Sequence, residues 1–236
     1  MKITPRTQRH RRRLALLLLV CTINFIAAPF LLATRSAAAP PKPPDGPTDF
    51  IRRINLTTSD LVYSASAGRI YASVPSSAGS SGNSLKAIDP LTGLVTSTTF
   101  VGSEPNKLTI SDDGQRLYIS LDGSFAIRRF DTLTNTPGLQ FSVGQDSFSN
   151  RFNVNDFAVA PGNPNVLAVA RSFQAGVAIF DNGVSRTNTG PTTSDFLAFS
   201  ATASKLYSTG FNGLSTLTID ATGVSGSSTA PLAGAV

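Results

Sequence analysis

The stretch KLTISDDGQRLYISL (residues 107–121) predicts a β-hairpin. Apolar and polar residues alternate on both sides of the turn-forming centre Asp112-Asp113-Gly114, which is typical of two antiparallel strands joined by a tight turn. Three further stretches repeat the pattern, at residues 60–74, 156–170 and 195–209. The chain therefore contains at least four copies of one all-β unit.

Two sets of residues recur at equivalent positions in the four copies. Each hairpin is followed by a third strand that ends in an aspartate, and each second strand carries a large residue at one position. The closing aspartates are Asp89, Asp131, Asp181 and Asp220, and the second-strand markers are Tyr71, Tyr118, Leu167 and Tyr207. We expect each aspartate to accept a backbone N–H two residues on and so cap a turn into a fourth strand. A ring of metal-binding or catalytic carboxylates is the alternative.

Units of four strands that recur about every 40–50 residues indicate the blades of a β-propeller. The predicted fold class is therefore all-β, with about four blades of antiparallel sheet near residues 60–101, 107–144, 156–190 and 195–225. The insert PSSAGSSGNS (75–84) is predicted to be a flexible loop in the first blade. A ring of seven blades needs roughly 300 residues, so we predict an incomplete, truncated ring. A compact four-bladed ring and a ring completed by a partner are the alternatives.

The run GSEPNKLTISDDGQRLYISLDG (102–123) resembles the repeat of bacterial YVTN-type β-propellers, in the group that includes surface-layer and NHL-like proteins. Pro105, Asp113-Gly114 and Leu117-Tyr118 match the order of the family's proline, turn and apolar-Tyr pair. The resemblance extends over roughly residues 56–225. It implies the propeller fold, and it implies little about activity, because the family is functionally mixed.

The first 39 residues are predicted to be a secretory signal. A basic segment that ends at Arg13 precedes an apolar run at 14–33 and the small residues 36–39. The alternative is an uncleaved N-terminal membrane anchor, because about twenty apolar residues can span a bilayer. Residues 40–55 form a Pro-rich linker, and 56–236 form the repeat domain. We expect this domain to be secreted or to lie on the exterior of the cell envelope.

The composition of the body argues against most catalytic chemistry. The single His, His10, and the single Cys, Cys21, both lie in the leader, so nucleophile–histidine catalysis and transition-metal sites lack their usual groups. We predict no catalytic residue, no metal site and no cofactor, and we assign no binding residue. A calcium site made of carboxylates alone has its nearest candidate at Asp112-Asp113-Gly114, which we interpret as a type I or I′ turn.

The basic character of the chain resides in the leader. Seven of the 20 Lys and Arg residues lie within residues 1–39, which leaves 13 against 14 acidic residues in the body. This balance excludes nucleic acid as a partner, and contact with a membrane would come only through an uncleaved leader. Among the remaining basic residues, Arg116, Arg128 and Arg129 form a local cluster. Arg128 and Arg129 should point to opposite faces of a strand, one toward the central channel and the other outward, with a solvated surface role.

Phenylalanines are predicted to fill the core between sheets. They are Phe125, Phe130, Phe141, Phe148, Phe152, Phe157, Phe173, Phe180, Phe196, Phe199 and Phe211. The sequence thus predicts an exported protein that is not an enzyme and serves as a binding or scaffold module for a protein, glycan or small ligand. One alternative is a fragment of an extracellular propeller enzyme, a lactonase-like hydrolase or quinone-dependent dehydrogenase, with its catalytic residues outside this chain. A non-functional remnant of a longer gene is another.

Overall fold

The computed structural model describes residues 52–190, 194–210 and 213–231. The predicted leader with His10 and Cys21, most of the predicted linker, and Phe211 lie outside these residues. In the part of the chain that is described, no helix has the length and apolar character needed to cross a bilayer.

The described residues form four antiparallel sheets of four strands, here called blades 1 to 4. Blade 1 contains β1 to β4, at Asp60–Ser64, Arg69–Val74, Ser84–Ile88 and Val95–Phe100. Blade 2 contains β5 to β8, at Pro105–Ile110, Arg116–Leu121, Ala126–Asp131 and Thr136–Ser142. Blade 3 contains β9 to β12, at Val154–Ala160, Asn163–Arg171, Gly176–Asp181 and Val184–Ser185. Blade 4 contains β13 to β16, at Phe196–Phe199, Lys205–Gly210, Gly213–Asp220 and Gly223–Ala230.

Within each blade the strands are hydrogen-bonded in chain order. The first strands of successive blades contact one another, β1 with β5, β5 with β9 and β9 with β13, so these strands lie at the centre of the arc. Because neighbouring strands alternate in direction, the connections between blades and the turns between second and third strands share one end, the connection end. The remaining turns share the other, the turn end. The predicted all-β fold with four repeated sheets is confirmed.

Three hydrophobic clusters join the four sheets in pairs. Blades 1 and 2 enclose Tyr71, Leu85, Leu117 and Phe130 among others, blades 2 and 3 enclose Phe152, Leu167 and Phe180, and blades 3 and 4 enclose Ile179, Leu206 and Leu217. Burial of such side chains is the main stabilising contribution to an all-β arc of this kind. Among the described residues no fourth cluster joins blade 4 to blade 1.

The second-strand marker of blade 3 is displaced by one residue from its predicted position. Tyr71 and Tyr118 point toward the following blade, where their hydroxyls donate to the backbone oxygens of Thr132 and Pro164, at 2.9 Å and 2.8 Å. Leu167 packs instead toward blade 2, and Ala168 faces blade 4. The pairing of β9 with β10 contains a register shift before Leu167, and a slip of one residue reverses the face of a strand side chain.

Three of the four closing aspartates cap turns as predicted. The Oδ1 atoms of Asp89 and Asp131 accept the backbone N–H two residues on, at 2.8 Å and 3.0 Å, and Asp220 accepts that of Thr222 at 2.7 Å. Asp181 behaves differently, because its carboxylate pairs with Arg186, with an Nε–Oδ2 distance of 2.7 Å. The turn prediction is therefore wrong for Asp181, where the tight turn of blade 3 is followed by a basic residue.

Two predicted loops have defined conformations. The Gly114 N–H donates to the Ser111 carbonyl at 2.8 Å. Within this turn only Gly114, its last residue, has a positive φ, 68°. Asp112 and Asp113 therefore form the centre of a type I turn. The insert at 75–84, predicted to be flexible, contains a 3-10 helix at Ser76–Ser81 and contributes Ser84 to β3. Its local backbone bonds run from the Ala78 N–H to the Pro75 carbonyl and from the Gly82 N–H to the Gly79 carbonyl, on either side of a kink at Gly79, and the flexibility of this insert stays a prediction.

Candidate functional site

Two phenylalanines that the sequence assigns to the core lie on the surface at the connection end. Phe148 is 84% exposed in the connection between blades 2 and 3, and Phe173 is 72% exposed in the turn between β10 and β11. Phe196 is also exposed, whereas Phe130, Phe152, Phe157 and Phe180 are buried as predicted. Exposed aromatic side chains on loops are typical of contact surfaces. We call residues 145–151 and 172–175 together the aromatic loops.

The first aromatic loop, 145–151, is closed on itself by hydrogen bonds. Gln145 and Arg151 form an isolated antiparallel bridge. The Asp146 carboxylate accepts the backbone N–H groups of Phe148 and Asn150, both at 2.8 Å, and the Asn150 side-chain amide at 2.8 Å. The bonds from Asn150 lower the pKa of Asp146. The carboxylate therefore organises the loop that projects Phe148.

The second aromatic loop holds two non-glycine residues in the left-handed region. Phe173 and Gln174 have φ of 54° and 58°, and the Ala175 N–H donates to the Ser172 carbonyl at 3.2 Å. Two positive φ angles define a type I′ turn, which strongly prefers Asn and Gly. A non-glycine residue in such a conformation costs about 1–3 kcal/mol. Phe at this position therefore lowers the stability of the fold and, at the same time, exposes an aromatic ring.

The two aromatic loops are joined at their base. Asn153 and Ser172 form two hydrogen bonds, from the Asn153 N–H to the Ser172 hydroxyl at 2.8 Å and from the Ser172 N–H to the Asn153 carbonyl at 2.9 Å. The Arg171 guanidinium lies 5.1 Å from the centroid of the Phe152 ring and donates to the Gly176 carbonyl at 3.3 Å. Burial lowers the pKa of Arg171. This base fixes the loops relative to each other.

One polar atom at this base has no partner. The side-chain oxygen of Asn153, Oδ1, is buried and accepts no hydrogen bond. A buried acceptor without a donor is uncommon in folded proteins. Because this oxygen is buried, it is out of reach of a ligand at the surface, and the groups that the aromatic loops offer for contact are the exposed rings of Phe148 and Phe173.

The three arginines of the predicted basic cluster contact different partners. Arg116 pairs with Asp131 across β6 and β7. Arg128 and Arg129 point to opposite faces of β7, where Arg128 donates to Gln140 and Arg129 to Asn165 and Asn182. The expectation that one of them faces the central channel is wrong, because β7 is the third strand of its blade and not the first.

A cleft of about 310 Å³ lies between blades 1 and 2 at the turn end. Residues of both blades line it: Ala67, Arg69, Tyr71, Ala87, Thr96, Ser97, Thr132, Leu133 and Asn135. The Arg69 guanidinium already contacts Asp89 at 3.6 Å and the Gly68 carbonyl at 3.0 Å. The Tyr71 hydroxyl is likewise used between blades. Since Arg69 and the hydroxyls of Tyr71, Thr96 and Thr132 already bond within the protein, the cleft offers less to a ligand than the aromatic loops.

The carboxylates near the centre of the arc serve the packing of blades. Asp60 and Asp156 occupy the same position in the first strands of blades 1 and 3. Each accepts a backbone N–H from the first strand of the next blade, from Leu108 at 2.8 Å and Leu197 at 2.7 Å. Burial raises the pKa of Asp156. Within residues 52–190, 194–210 and 213–231, no three His, Cys, Asp or Glu side chains are grouped to hold a metal ion.

Comparison with solved structures supports the propeller fold. The chain is similar to hydrazine synthase of Kuenenia stuttgartiensis, with a TM-score of 0.54 and 16% identity over 77% of this chain and 53% of that one. It is similar to dihydro-heme d1 dehydrogenase NirN, with a TM-score of 0.58 and 14% identity over 76% and 38% of the two chains. For the β-propeller domain of Myceliophteria thermophila Cps50 (Swd1), the TM-score is 0.55 and the identity 20%, over 69% and 54%.

The chain spans about half the length, or less, of these structures. No protein-family model matches it, and no curated protein matches it significantly. The four described blades form an incomplete β-propeller, since no hydrophobic cluster of the described residues joins blade 4 to blade 1. Because these similar structures include two enzymes as well as the propeller domain of Cps50 (Swd1), the shared fold itself does not decide between a catalytic and a binding function.

The neighbours of Phe148 and Phe173 in the sequence indicate that these residues are exposed, although the prediction assigns both to the core. Phe148 stands in the run QDSFSN and Phe173 in RSFQAG, each between small or turn-forming residues. Core phenylalanines such as Phe157 and Phe180 instead stand inside strand-like runs, in DFAVA and GVAIFD. Turn context is thus the better guide to exposure at these two positions.

Proposed function

We propose that this protein is an exported, non-catalytic propeller module that binds a component of the cell envelope through its aromatic loops. The observation that carries the proposal is the rigid presentation of Phe148 and Phe173. A loop organised by Asp146 and a strained turn braced by Arg171 expose both rings. A surface that maintains exposed aromatic rings at a cost in stability is best explained by selection for binding.

Further support comes from the sequence. The signal-like leader supports export, and the match around residues 102–123 supports membership in the YVTN-type group of propellers. The absence of His and Cys from the body supports a binding role in preference to catalysis. The ligand class we favour is a protein or glycan of the envelope, since exposed aromatic rings supply a large apolar contact area for an interface.

Cosedimentation with purified cell envelopes tests this function. The labelled chain should sediment with the envelopes, and the double variant Phe148→Ser/Phe173→Ser should lose binding by about tenfold or more, because aromatic anchors dominate interface energies. The matched control is Leu91→Ser/Leu133→Ser, since both leucines are exposed at the turn end, 78% and 57%. This control should bind like the original chain.

Enzymatic treatment of the envelopes identifies the ligand class. Loss of binding after protease treatment indicates a protein, and loss after glycan digestion indicates a polysaccharide. If the chain does not sediment with envelopes, or if both double variants bind equally well, the aromatic loops are not the binding surface and the proposal is wrong.

A further inference from the structure

Arg171 stands at a position of the repeat that is uncharged in the other three blades. It is the last residue of the second strand of blade 3 and forms the last pair with the third strand. The residues at the same place in the other blades are Val74, Leu121 and Gly210. Val74 and Leu121 are buried apolar residues. The repeat therefore places core or no side chain here, and the arginine is a departure from it.

Two backbone carbonyls orient the guanidinium of Arg171 at the base of the aromatic loops. Its Nε donates to the Gly176 carbonyl at 3.3 Å, its Nη2 donates to the Ala175 carbonyl, and its Cζ lies 5.1 Å from the centroid of the Phe152 ring. Its Nη1 donates to none of the described residues. Since the one buried side-chain nitrogen or oxygen without a partner is Asn153 Oδ1, Nη1 reaches solvent. Arg171 thus holds a charged donor ready for an incoming acceptor.

No carboxylate of the described residues neutralises this guanidinium. Three arginines of the blades each pair with an aspartate. They are Arg69, Arg116 and Arg186. Arg171 has no such partner, although its side chain is partly buried. A partly buried charge without a partner is costly. An arginine where the repeat has an apolar side chain therefore indicates a role beyond packing.

The charges around the exposed rings are mainly positive. Arg151 closes the first aromatic loop and is exposed, with no ion pair among the described residues. The carboxylate in these loops is that of Asp146, and its oxygens accept three hydrogen bonds from Phe148 and Asn150. A ligand that contacts the rings therefore meets the guanidinium groups of Arg151 and Arg171 and no free carboxylate, which favours a negatively charged ligand.

We propose that the aromatic loops bind an acidic glycan, whose carboxylate or phosphate accepts hydrogen bonds from Arg171 while its sugar rings pack on Phe148 and Phe173. Guanidinium groups form strong hydrogen bonds with both anions. In an acidic sugar the anion is attached to a ring that can itself pack on an aromatic face, so one unit makes both contacts. An acidic peptide would need separate residues for them. This inference rests on the proposed function, because it names the ligand of the same loops.

Calorimetric titration of the purified full chain with defined polysaccharides tests the assignment. Polygalacturonate carries a carboxylate on its sugars, phosphomannan carries phosphate, and fully methyl-esterified polygalacturonate has the first backbone without its charge. The chain should bind polygalacturonate, phosphomannan or both about tenfold more tightly than the methyl ester, because hydrogen bonds to charged groups are the stronger ones. Which of the two polymers binds identifies the anion.

Replacing Arg171 with Leu separates ligand binding from folding, because leucine occupies this position in blade 2. Arg171→Leu should melt cooperatively and bind the acidic polymer about tenfold more weakly or worse. If this variant does not fold, Arg171→Gln, which keeps a donor for the loop carbonyls, takes its place. The charge-matched control is Arg128→Gln, since Arg128 is exposed and bonds to Gln140 on blade 2. It should keep the affinity within about twofold.

Three results would overturn the acidic-glycan assignment: equal affinity for the acidic polymers and the methyl ester, unchanged affinity in the Arg171 variant, or equally tight binding of poly-glutamate. The last result would show that a peptide suffices. Binding to cell envelopes that depends on Phe148 and Phe173 but not on Arg171 overturns this inference and leaves the proposed function standing. Binding of an acidic polymer through Arg171 without any sedimentation with envelopes overturns the proposed function alone.

Discussion

The hydroxyl of Tyr71 donates a 2.9 Å hydrogen bond to the backbone carbonyl of Thr132, 61 residues further along the chain. This bond crosses from blade 1 to blade 2, and Tyr118 forms the equivalent bond to Pro164 of blade 3. Both tyrosine side chains are buried, and burial raises the pKa of each hydroxyl. Tyr71 thus joins blade 1 to blade 2, and Tyr118 joins blade 2 to blade 3, each through a hydroxyl that remains protonated.

Replacing Tyr71 with Phe should destabilise the fold. The substitution keeps the ring and removes the donor to Thr132, which leaves a buried carbonyl with one partner fewer, at a cost of about 1–2 kcal/mol. Thermal unfolding should shift downward by several degrees for a domain of this size. The control Tyr63→Phe removes a hydroxyl from a side chain that is 55% exposed and should leave the melting temperature unchanged. Equal shifts in both variants would contradict this role for Tyr71.

A close backbone contact between Gly223 and Asn188 holds blade 4 against the end of blade 3. The φ of Gly223 is 121°, and a Cβ at this position would lie 2.2 Å from the Asn188 carbonyl oxygen. The Val224 N–H donates to that same oxygen at 3.2 Å. Gly223→Ala should therefore lower the free energy of unfolding by at least about 2 kcal/mol, from backbone strain and displacement of the contact.

Chemical denaturation checks this expectation, with Gly226→Ala as the matched control on the same strand. A Cβ at Gly226 meets only ordinary contacts, at 3.6 Å or more, so the control should stay within about 0.5 kcal/mol of the original chain. If Gly223→Ala is as stable as this control, the contact with Asn188 does not constrain the two blades.

Two aspartates should respond to pH with opposite signs. Hydrogen bonds from the Thr134 backbone and the Arg116 side chain hold the pKa of Asp131 below its usual range. Its ionised form therefore stabilises the fold near neutral pH, and this contribution is lost as pH falls through the folded-state pKa. Burial raises the pKa of Asp156, so its ionised form opposes folding once the pH rises above the ordinary range.

Melting temperatures of two Asn variants measure these contributions. Asp131→Asn should melt below the original chain near neutral pH, and Asp156→Asn should melt above it, because an amide keeps an acceptor oxygen without a charge. Both differences should shrink as the pH falls and the original carboxyl groups become protonated, first that of Asp156, whose pKa is raised, and last that of Asp131, whose pKa is lowered. Differences of the same sign, or differences independent of pH, would contradict the assigned causes.

The sequence predicts the blades well because their signals are local. Strand alternation and turn-forming residues mark all four hairpins, and the capping of turns by Asp89, Asp131 and Asp220 follows from side-chain chemistry alone. The features that it misses depend on register or on partners distant in sequence. The slip at Leu167 arises from irregular pairing of β9 and β10. The role of Arg129 arises from contact with blade 3, and composition carries no sign of either.

The turn that carries Phe173 should be easy to stabilise at the expense of binding. Asn at 173 and Gly at 174 suit the two positive φ angles of a type I′ turn, whereas Phe and Gln do not. The double variant Phe173→Asn/Gln174→Gly should therefore gain about 1–2 kcal/mol in the free energy of unfolding. The same variant should sediment poorly with cell envelopes, because it lacks the aromatic ring.

The single variant Phe173→Ser separates the two effects, since it removes the ring and leaves the backbone strain. It should therefore lose binding without the gain in stability. A double variant that is no more stable than the original chain would show that the turn is not strained, and the link between strain and binding would fail with it.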